Sequence, residues 1–221
     1  YYFAENATED EIIKSINFLN QDHGTNGILV QLPLPKNFNT DKIIQAIDPK
    51  KDVDVLHPEN INKIKNCQLD LVSPLVLGIV ELVKATKEEI INKNITILCN
   101  HKIFGQAFEC FYGQAEKNNQ IDIVTLEDTN YREKIKQADL LVVSIGQAHL
   151  ISKEMIKDDA IIIDVGINQF GDQVVGDVDF FDVIKKVKYI TPVPGGVGPM
   201  TIAMLLENLL KLTSKTSETS K

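Results

Sequence analysis

The chain has 221 residues, 43% of them hydrophobic and 24% charged, with a net charge of −8. That composition belongs to a globular protein long enough for one large domain or two small ones with real cores. It lacks the basic footprint of a nucleic-acid binder, and no apolar run approaches the ~20 residues of a membrane span.

The three cysteines, Cys67, Cys99 and Cys110, form no zinc-ligand spacing and are too few and scattered for a disulfide framework. A reducing compartment, the cytoplasm, is expected on that ground. The chain opens YYFAENATEDE without an initiating Met and reads as a fragment or a processed product. Its TSKTSETSK end is polar and expected to fray.

In chain order, Thr8–Glu11 is a T-x-x-E capping box that opens an amphipathic helix over EDEIIKSINFLN. GILVQL (27–32) has the length and apolarity of a strand. PLPKNFN is a loop, Thr40 caps a second helix over DKIIQAI, and DPKKDVDVLHPEN (48–60) is a polar loop. From about residue 74 the rhythm changes. Helices are expected over LGIVELVKAT, residues 103–117 and YREKIKQA, and strands at ITILC, IDIVTL, LLVVSI, AIIIDV and KYIT. A last helix is expected over 199–212. Apolar strands alternating with helices predict an α/β fold with a doubly wound parallel sheet, buried on both faces.

Thr191–Pro199 holds three prolines and three glycines in nine residues, directly before the last helix. Proline fixes its own φ and restricts the residue before it, while glycine carries no side chain. The segment is therefore stiff and thin, suited to lie against a flat ligand. Gln31 ends the first apolar run, where an amide can donate and accept to a heterocycle edge. Asp52 and Asp54 alternate and share a face in an extended loop. Asp52 reads as a turn cap or surface charge, Asp54 as a group turned toward a ligand, and His57 as structural, although it could serve as an acid–base group.

GILVQLPLP, AIDPKKDVD-x-x-HPEN, VVGDVDF and TPVPGGVGPMTIAMLLEN together resemble the bifunctional methylenetetrahydrofolate dehydrogenase/methenyltetrahydrofolate cyclohydrolase family, over about residues 5–210. The resemblance implies two α/β domains around a cleft, the second a Rossmann-type doubly wound parallel sheet. Residues 1–74 with 199–221 would form the folate or catalytic domain, and 75–198 the NAD(P)-binding domain. It implies oxidation of 5,10-methylenetetrahydrofolate with NAD(P)+ and hydrolysis of 5,10-methenyltetrahydrofolate to 10-formyltetrahydrofolate. Gln31 would tune a catalytic lysine, and Asp54 would hold the pterin's amino-pyrimidine edge. Leu32, Pro33, Pro194, Gly198 and Thr201 would line the substrate. Cys99, Asn100, His101, Gly105, Asp128 and Ile167 would meet the dinucleotide. No metal, nucleic acid or membrane is implied, and a homodimer through the Rossmann domain is.

The chain also departs from the family pattern. The family's catalytic Tyr and Lys sit on a Y-x-x-x-K helix expected ahead of Tyr1, since Tyr1 and Tyr2 fall too late and Lys14 lies on another helix. The alternative is then a catalytically inert homologue acting as a binding or partner subunit. In the nucleotide loop, Cys99–Ala107 (CNHKIFGQA), Cys99 stands for the tight-turn glycine, Asn100 for the phosphate-binding Arg and His101 for a Ser. A side chain at position 99 is expected to obstruct a pyrophosphate. Lys102 reads as a solvated loop lysine, with a phosphate contact as the other possibility. Asp128, beside Glu127, replaces the Ser that meets a 2′-phosphate, so NAD is expected to be favoured over NADP. SPLV (73–76) replaces P-C-T-P, and Val55 replaces the glycine after the V-D pair.

Overall fold

The computed structural model describes residues 1–113 and 117–218, the last four for their backbone alone. The chain divides into two compact units, Tyr1–Pro74 with Met204–Lys221, and Leu75–Ala203.

In the first unit, α1 (Glu9–Gln21) starts on the expected capping box. Thr8 Oγ1 accepts the Glu11 N–H at 3.3 Å, and Glu11 Oε2 accepts the Thr8 N–H at 2.7 Å. Ile12 and Ile16 bury one face of α1 against Ile28, Ile43, Ile44 and Ile47. The cap of α2 (Thr40–Gln45) is Asn39, one residue before the expected Thr40; its side chain accepts the Lys42 N–H at 3.1 Å.

GILVQL does not form a strand. Only Ile28 pairs, in a single parallel bridge with Asp52. A ladder needs a second extended segment of matching length, and the chain turns away just after that bridge. The Asp52 carboxylate takes the N–H groups of Val55 at 3.0 Å and His57 at 2.9 Å, which curls the loop. The expected polar loop also ends earlier than residue 60, because α3 (Pro58–Lys65) begins within it. His57 Nδ1 caps that helix at the Glu59 N–H, and Pro58 occupies its first turn, where a missing N–H costs nothing.

The second unit begins with α4, whose helix spans Pro74–Ala85 and so starts three residues before the expected LGIVELVKAT. It is built on five parallel strands, β1 (Asn94–Cys99), β2 (Gln120–Val124), β3 (Leu140–Ser144), β4 (Ile161–Asp164) and β7 (Tyr189–Ile190), in the order β2-β1-β3-β4-β7. The central strands are Ile/Leu/Val runs with almost every residue buried. This is the pattern of a parallel sheet covered on both faces. From β1 the chain moves outward to β2 through α5 (Lys102–Tyr112), then back past β1 to β3 through α6 (Tyr131–Gln137). Right-handed crossovers in opposite directions place those helices on opposite faces, so the sheet is doubly wound as expected. Gly105 lets α5 lie close on β2, since a Cβ there would stand 2.5 Å from Ile123.

α5 ends at Gly113, short of the expected residue 117, and residues 114–116 of that expectation lie outside the described residues. The hairpin β5 (Asn168–Phe170) and β6 (Gln173–Val175), turning at Gly171 with φ +59°, and the short helix α7 (Phe180–Val183) were likewise not expected. α8 spans Val197–Glu218, longer than the expected 199–212 at both ends. In the polar tail the Thr213 and Ser214 hydroxyls bond back to the carbonyls of Leu209 and Lys211.

Candidate functional site

Strand order alone marks a place for a ligand in the second unit. From β1 the chain winds one way to β2 and the other way to β3, and ligands collect outside the carboxyl ends of the strands at such a switch point. The loop after β1 is Asn100–His101, and α5 starts directly behind it with no side chain capping its first N–H groups. Unsatisfied N–H groups and the helix dipole together suit an anion.

The structure redistributes the residues expected there. Cys99 is 1% exposed, and its Sγ turns to the His101 carbonyl at 3.4 Å, with burial pushing the thiol pKa up. The expectation that this side chain obstructs the pyrophosphate is therefore corrected: it is buried, with its Sγ turned to the His101 carbonyl. Asn100 Nδ2 donates to the Ile145 carbonyl at 2.8 Å, tying the end of β1 to the end of β3. Its amide nitrogen is thereby engaged by the fold. His101 and Ile167 are exposed, and Gly105 is a packing residue inside α5.

Asp128 lies in the turn after β2. Its Oδ2 accepts the Thr125 N–H at 2.8 Å and the Thr125 hydroxyl at 3.2 Å, and Lys102 Nζ stands 3.2 Å away. The Thr125 N–H first, then Lys102, hold its pKa below the usual carboxylate value. Lys102 is thus ion-paired rather than simply solvated.

Two buried carboxylates, which sequence reasoning passed over, shape the rest of this edge. Asp177 is fully buried and collects the N–H groups of Ile145 (2.7 Å), Gly146 (3.0 Å) and Gln147 (2.8 Å), together with the Asn168 amide at 2.9 Å. Asp164 accepts from the N–H groups of Gly166, Asp177 and Val178 at 2.9–3.0 Å. Burial nevertheless pushes its pKa up to about 6, against those hydrogen bonds. Gly166 and Gly176 make this arrangement possible, because a Cβ on Gly166 would overlap the Asp177 carboxylate and one on Gly176 that of Asp164. The signal in the sequence was the DVG and GDVD pairing of aspartate with glycine. A cavity of about 430 Å³ adjoins the pair, lined by Asp164, Val174, Phe181, Thr191, Pro192 and Pro194 among others. It lies toward β4 and β7, whereas the switch point lies between β1 and β3.

The Thr191–Pro199 loop leaves β7 on the same edge. Gly195 has φ +104°, and a Cβ on Gly196 would press on the Pro192 carbonyl at 2.5 Å, so the fold itself requires both glycines. Around Gly198 a Cβ would meet nothing within 4 Å. The Val193–Pro194 peptide is cis, and the Thr201 hydroxyl bonds back to the Val197 carbonyl at 3.0 Å.

In the first unit Gln31 is exposed, with Nε2 donating to the Leu32 carbonyl at 3.2 Å beside the cis Leu32–Pro33 peptide. Asp52 is 1% exposed and spends its carboxylate on Val55, His57 and the Asn60 amide. Val55 is buried at φ +63°, a conformation that costs a β-branched residue ~1–2 kcal/mol. Asp54 differs from its neighbour: it is half-buried and makes no hydrogen bond among the described residues. Burial first, then the nearby Asp52 charge, push its pKa up. Asn208, also missed from sequence, donates from α8 to the carbonyls of Val53 (3.1 Å) and Val72 (2.9 Å), which steadies the residue next to Asp54. Among the described residues no cluster of His, Cys, Asp and Glu could hold a metal ion.

The sheet, its switch point and the uncapped α5 define a doubly wound α/β protein of the nucleotide-binding class. Comparison with known proteins narrows this. The family model described as tetrahydrofolate dehydrogenase/cyclohydrolase, NAD(P)-binding domain, matches residues 74–217, and the catalytic-domain model of the same family matches residues 1–54. The bifunctional protein FolD of Nautilia profundicola is 41% identical over 211 residues, 95% of this chain and 73% of the relative. The crystal structure of the bifunctional FolD enzyme of Campylobacter jejuni superposes with a TM-score of 0.87 at 39% identity, covering 97% of this chain and 76% of that one. The Trypanosoma brucei FolD, solved with NADP and an inhibitor, gives a TM-score of 0.87 at 30% identity, covering 96% and 74%. The chain belongs to the tetrahydrofolate dehydrogenase/cyclohydrolase family.

Proposed function

We propose that the chain oxidises 5,10-methylenetetrahydrofolate with a nicotinamide dinucleotide and hydrolyses 5,10-methenyltetrahydrofolate to 10-formyltetrahydrofolate. Within the family, the observation that carries this for the present chain is the Asp54 carboxylate, half-buried and unbonded while its neighbour Asp52 is saturated. A carboxylate partly withdrawn from water without donors is matched by a ligand edge presenting two, and the pterin's N–H and NH₂ offer two parallel hydrogen bonds. Such donors favour the ionised form and would reverse the upward pull on its pKa. The description of the Campylobacter jejuni relative as a bifunctional enzyme favours catalysis over the inert partner subunit.

When bound, the dinucleotide supplies the hydride acceptor. The residues present fit such a group: the uncapped N–H groups of α5 would take its diphosphate, and the exposed Ile167 offers an apolar surface to its nicotinamide. Asp128 would meet a ribose hydroxyl and disfavour a 2′-phosphate, so NAD is preferred to NADP. Pro194, Gly198 and Thr201 would position folate against nicotinamide, Gly198 contributing the open backbone that the fold does not itself demand. Gln31, exposed at the end of its segment, would orient the proton-transfer group of the substrate site. A homodimer through the second unit is part of the same proposal; Phe170 and Phe181, 58% and 87% exposed, are apolar surface that pairing would cover, and sedimentation tests it.

The test pairs an activity assay of the purified chain, following methenyltetrahydrofolate spectroscopically with each dinucleotide, with Asp54→Ala. Losing two charge-assisted hydrogen bonds should weaken binding of a folate analogue by about 100-fold or more. The melting temperature should hold, because Asp54 has no bond in the fold to lose. A lowered melting temperature with unchanged folate affinity would make Asp54 a structural residue and sink the reading.

A further inference from the structure

Lys102 and Asp128 come from different elements and meet at the carboxyl edge of the sheet. Lys102 is the first residue of α5, separated from β1 by Asn100 and His101, and Asp128 lies in the turn after β2, the parallel neighbour of β1. Lys102 Nζ stands 3.3 Å from Oδ1 and 3.2 Å from Oδ2 of Asp128. The two partners are not equally free. Asp128 is pinned by the N–H and hydroxyl of Thr125, whereas Lys102 has no other partner among the described residues and its side chain is 55% exposed. An exposed ion pair of this kind is weak and exchangeable. The acid therefore stays and the lysine can move.

A dinucleotide lying along this edge brings its adenosine ribose to the end of β2, which is where an acidic residue reads the 2′ position. A 2′-phosphate arriving there meets the Lys102 ammonium and the Asp128 carboxylate together. The lysine is a point charge with a long reach, suited to a phosphate once it is released.

We propose that Lys102 is a specificity-determining residue of the dinucleotide site, its charge offset at the ribose 2′ position by the fixed Asp128 carboxylate. Cancelling the Asp128 charge alone then opens the site to a 2′-phosphorylated dinucleotide, with Lys102 as the new contact. The inference rests on the dinucleotide reading made above.

Four proteins test it: the unaltered chain, Asp128→Asn, Lys102→Met and the double variant, each titrated calorimetrically with NAD and with NADP at two ionic strengths. Asparagine keeps an acceptor for the Thr125 N–H, so the turn persists. Asp128→Asn should tighten NADP in both backgrounds, because a carboxylate beside the 2′-phosphate is lost in each, but by at least about tenfold when Lys102 is present and by at least about threefold less in the Lys102→Met background. That gain should shrink as salt rises, and NAD affinity should move less than about threefold throughout. Equal tightening of NADP in both backgrounds would overturn the role of Lys102. So would no tightening in a protein that still binds NAD. Failure of the unaltered chain to bind NAD is a separate result, and it would overturn the dinucleotide reading beneath the proposal.

Discussion

Asp177→Ala isolates the contribution of one buried carboxylate to the ligand-facing edge. Four donors converge on it: the N–H groups of Ile145, Gly146 and Gln147 and the Asn168 amide. Alanine leaves all four without that acceptor. Gly146 and Gln147 are exposed, so water replaces part of their loss. Ile145 is 6% exposed, and its N–H is left dry. An orphaned buried donor costs ~1–3 kcal/mol, and the remaining charge-assisted bonds bring the total to roughly 3–5 kcal/mol after part of the carboxylate's own desolvation is returned. Against a typical stability of about 5–15 kcal/mol this is a large fraction. The chain has no Trp, so urea unfolding is best followed by far-UV circular dichroism. With an m-value of about 1–3 kcal/mol/M, the midpoint should fall by about 1 M or more at constant m. Amide exchange at Ile145 should lose protection in parallel. Asp177→Asn keeps one acceptor oxygen and should fall between the two. A midpoint shift below about 0.5 M, with Ile145 still protected, would refute the reasoning.

Two further outcomes follow from buried groups. Asp164 binds its proton more tightly in the fold, with a pKa pushed up to about 6 from 3.8, so the folded state holds more protons than the unfolded one between those values. Its contribution to stability is present at low pH and is lost as pH rises through that window, by up to ~2–3 kcal/mol. The stability advantage of the unaltered chain over Asp164→Asn should shrink from pH 4 to pH 6; a difference independent of pH counts against it. The Tyr112 hydroxyl is buried with no hydrogen-bond partner among the described residues, and burial drives its pKa upward. Tyr112→Phe should therefore be neutral or stabilising, by up to about 1 kcal/mol, read as a melting-temperature rise of ~2–4 °C. A fall of that size would mean the hydroxyl has a partner.

The doubly wound sheet was legible because its signal is local. Buried parallel strands are written as LLVVS-like runs, and the helices between them have their own period. The capping box at Thr8 is equally local, since its two partners lie three residues apart. GILVQL has the same apolarity yet forms one bridge, because a strand exists only where a partner is supplied, and the Asp52 carboxylate curls that partner away. The motifs marked Asp54 and the Thr191–Pro199 loop as places for a ligand. They did not reveal which of the loop's glycines the fold itself needs. That depended on the closeness of Pro192 to Gly196 and the open space at Gly198.

The roles of Asp164, Asp177 and Asn208 come from partners 2 to 155 residues away, and no spacing rule reaches most of them. Lys102 and Asp128, 26 residues apart, became a pair only when parallel pairing set the ends of β1 and β2 side by side. Composition, periodicity and motif thus decided the class of fold and the family's chemistry, since both are written in neighbouring residues. Which charges are spent within the chain and which remain for a ligand was decided by tertiary contact, where burial and distance set the strength of every ion pair and hydrogen bond.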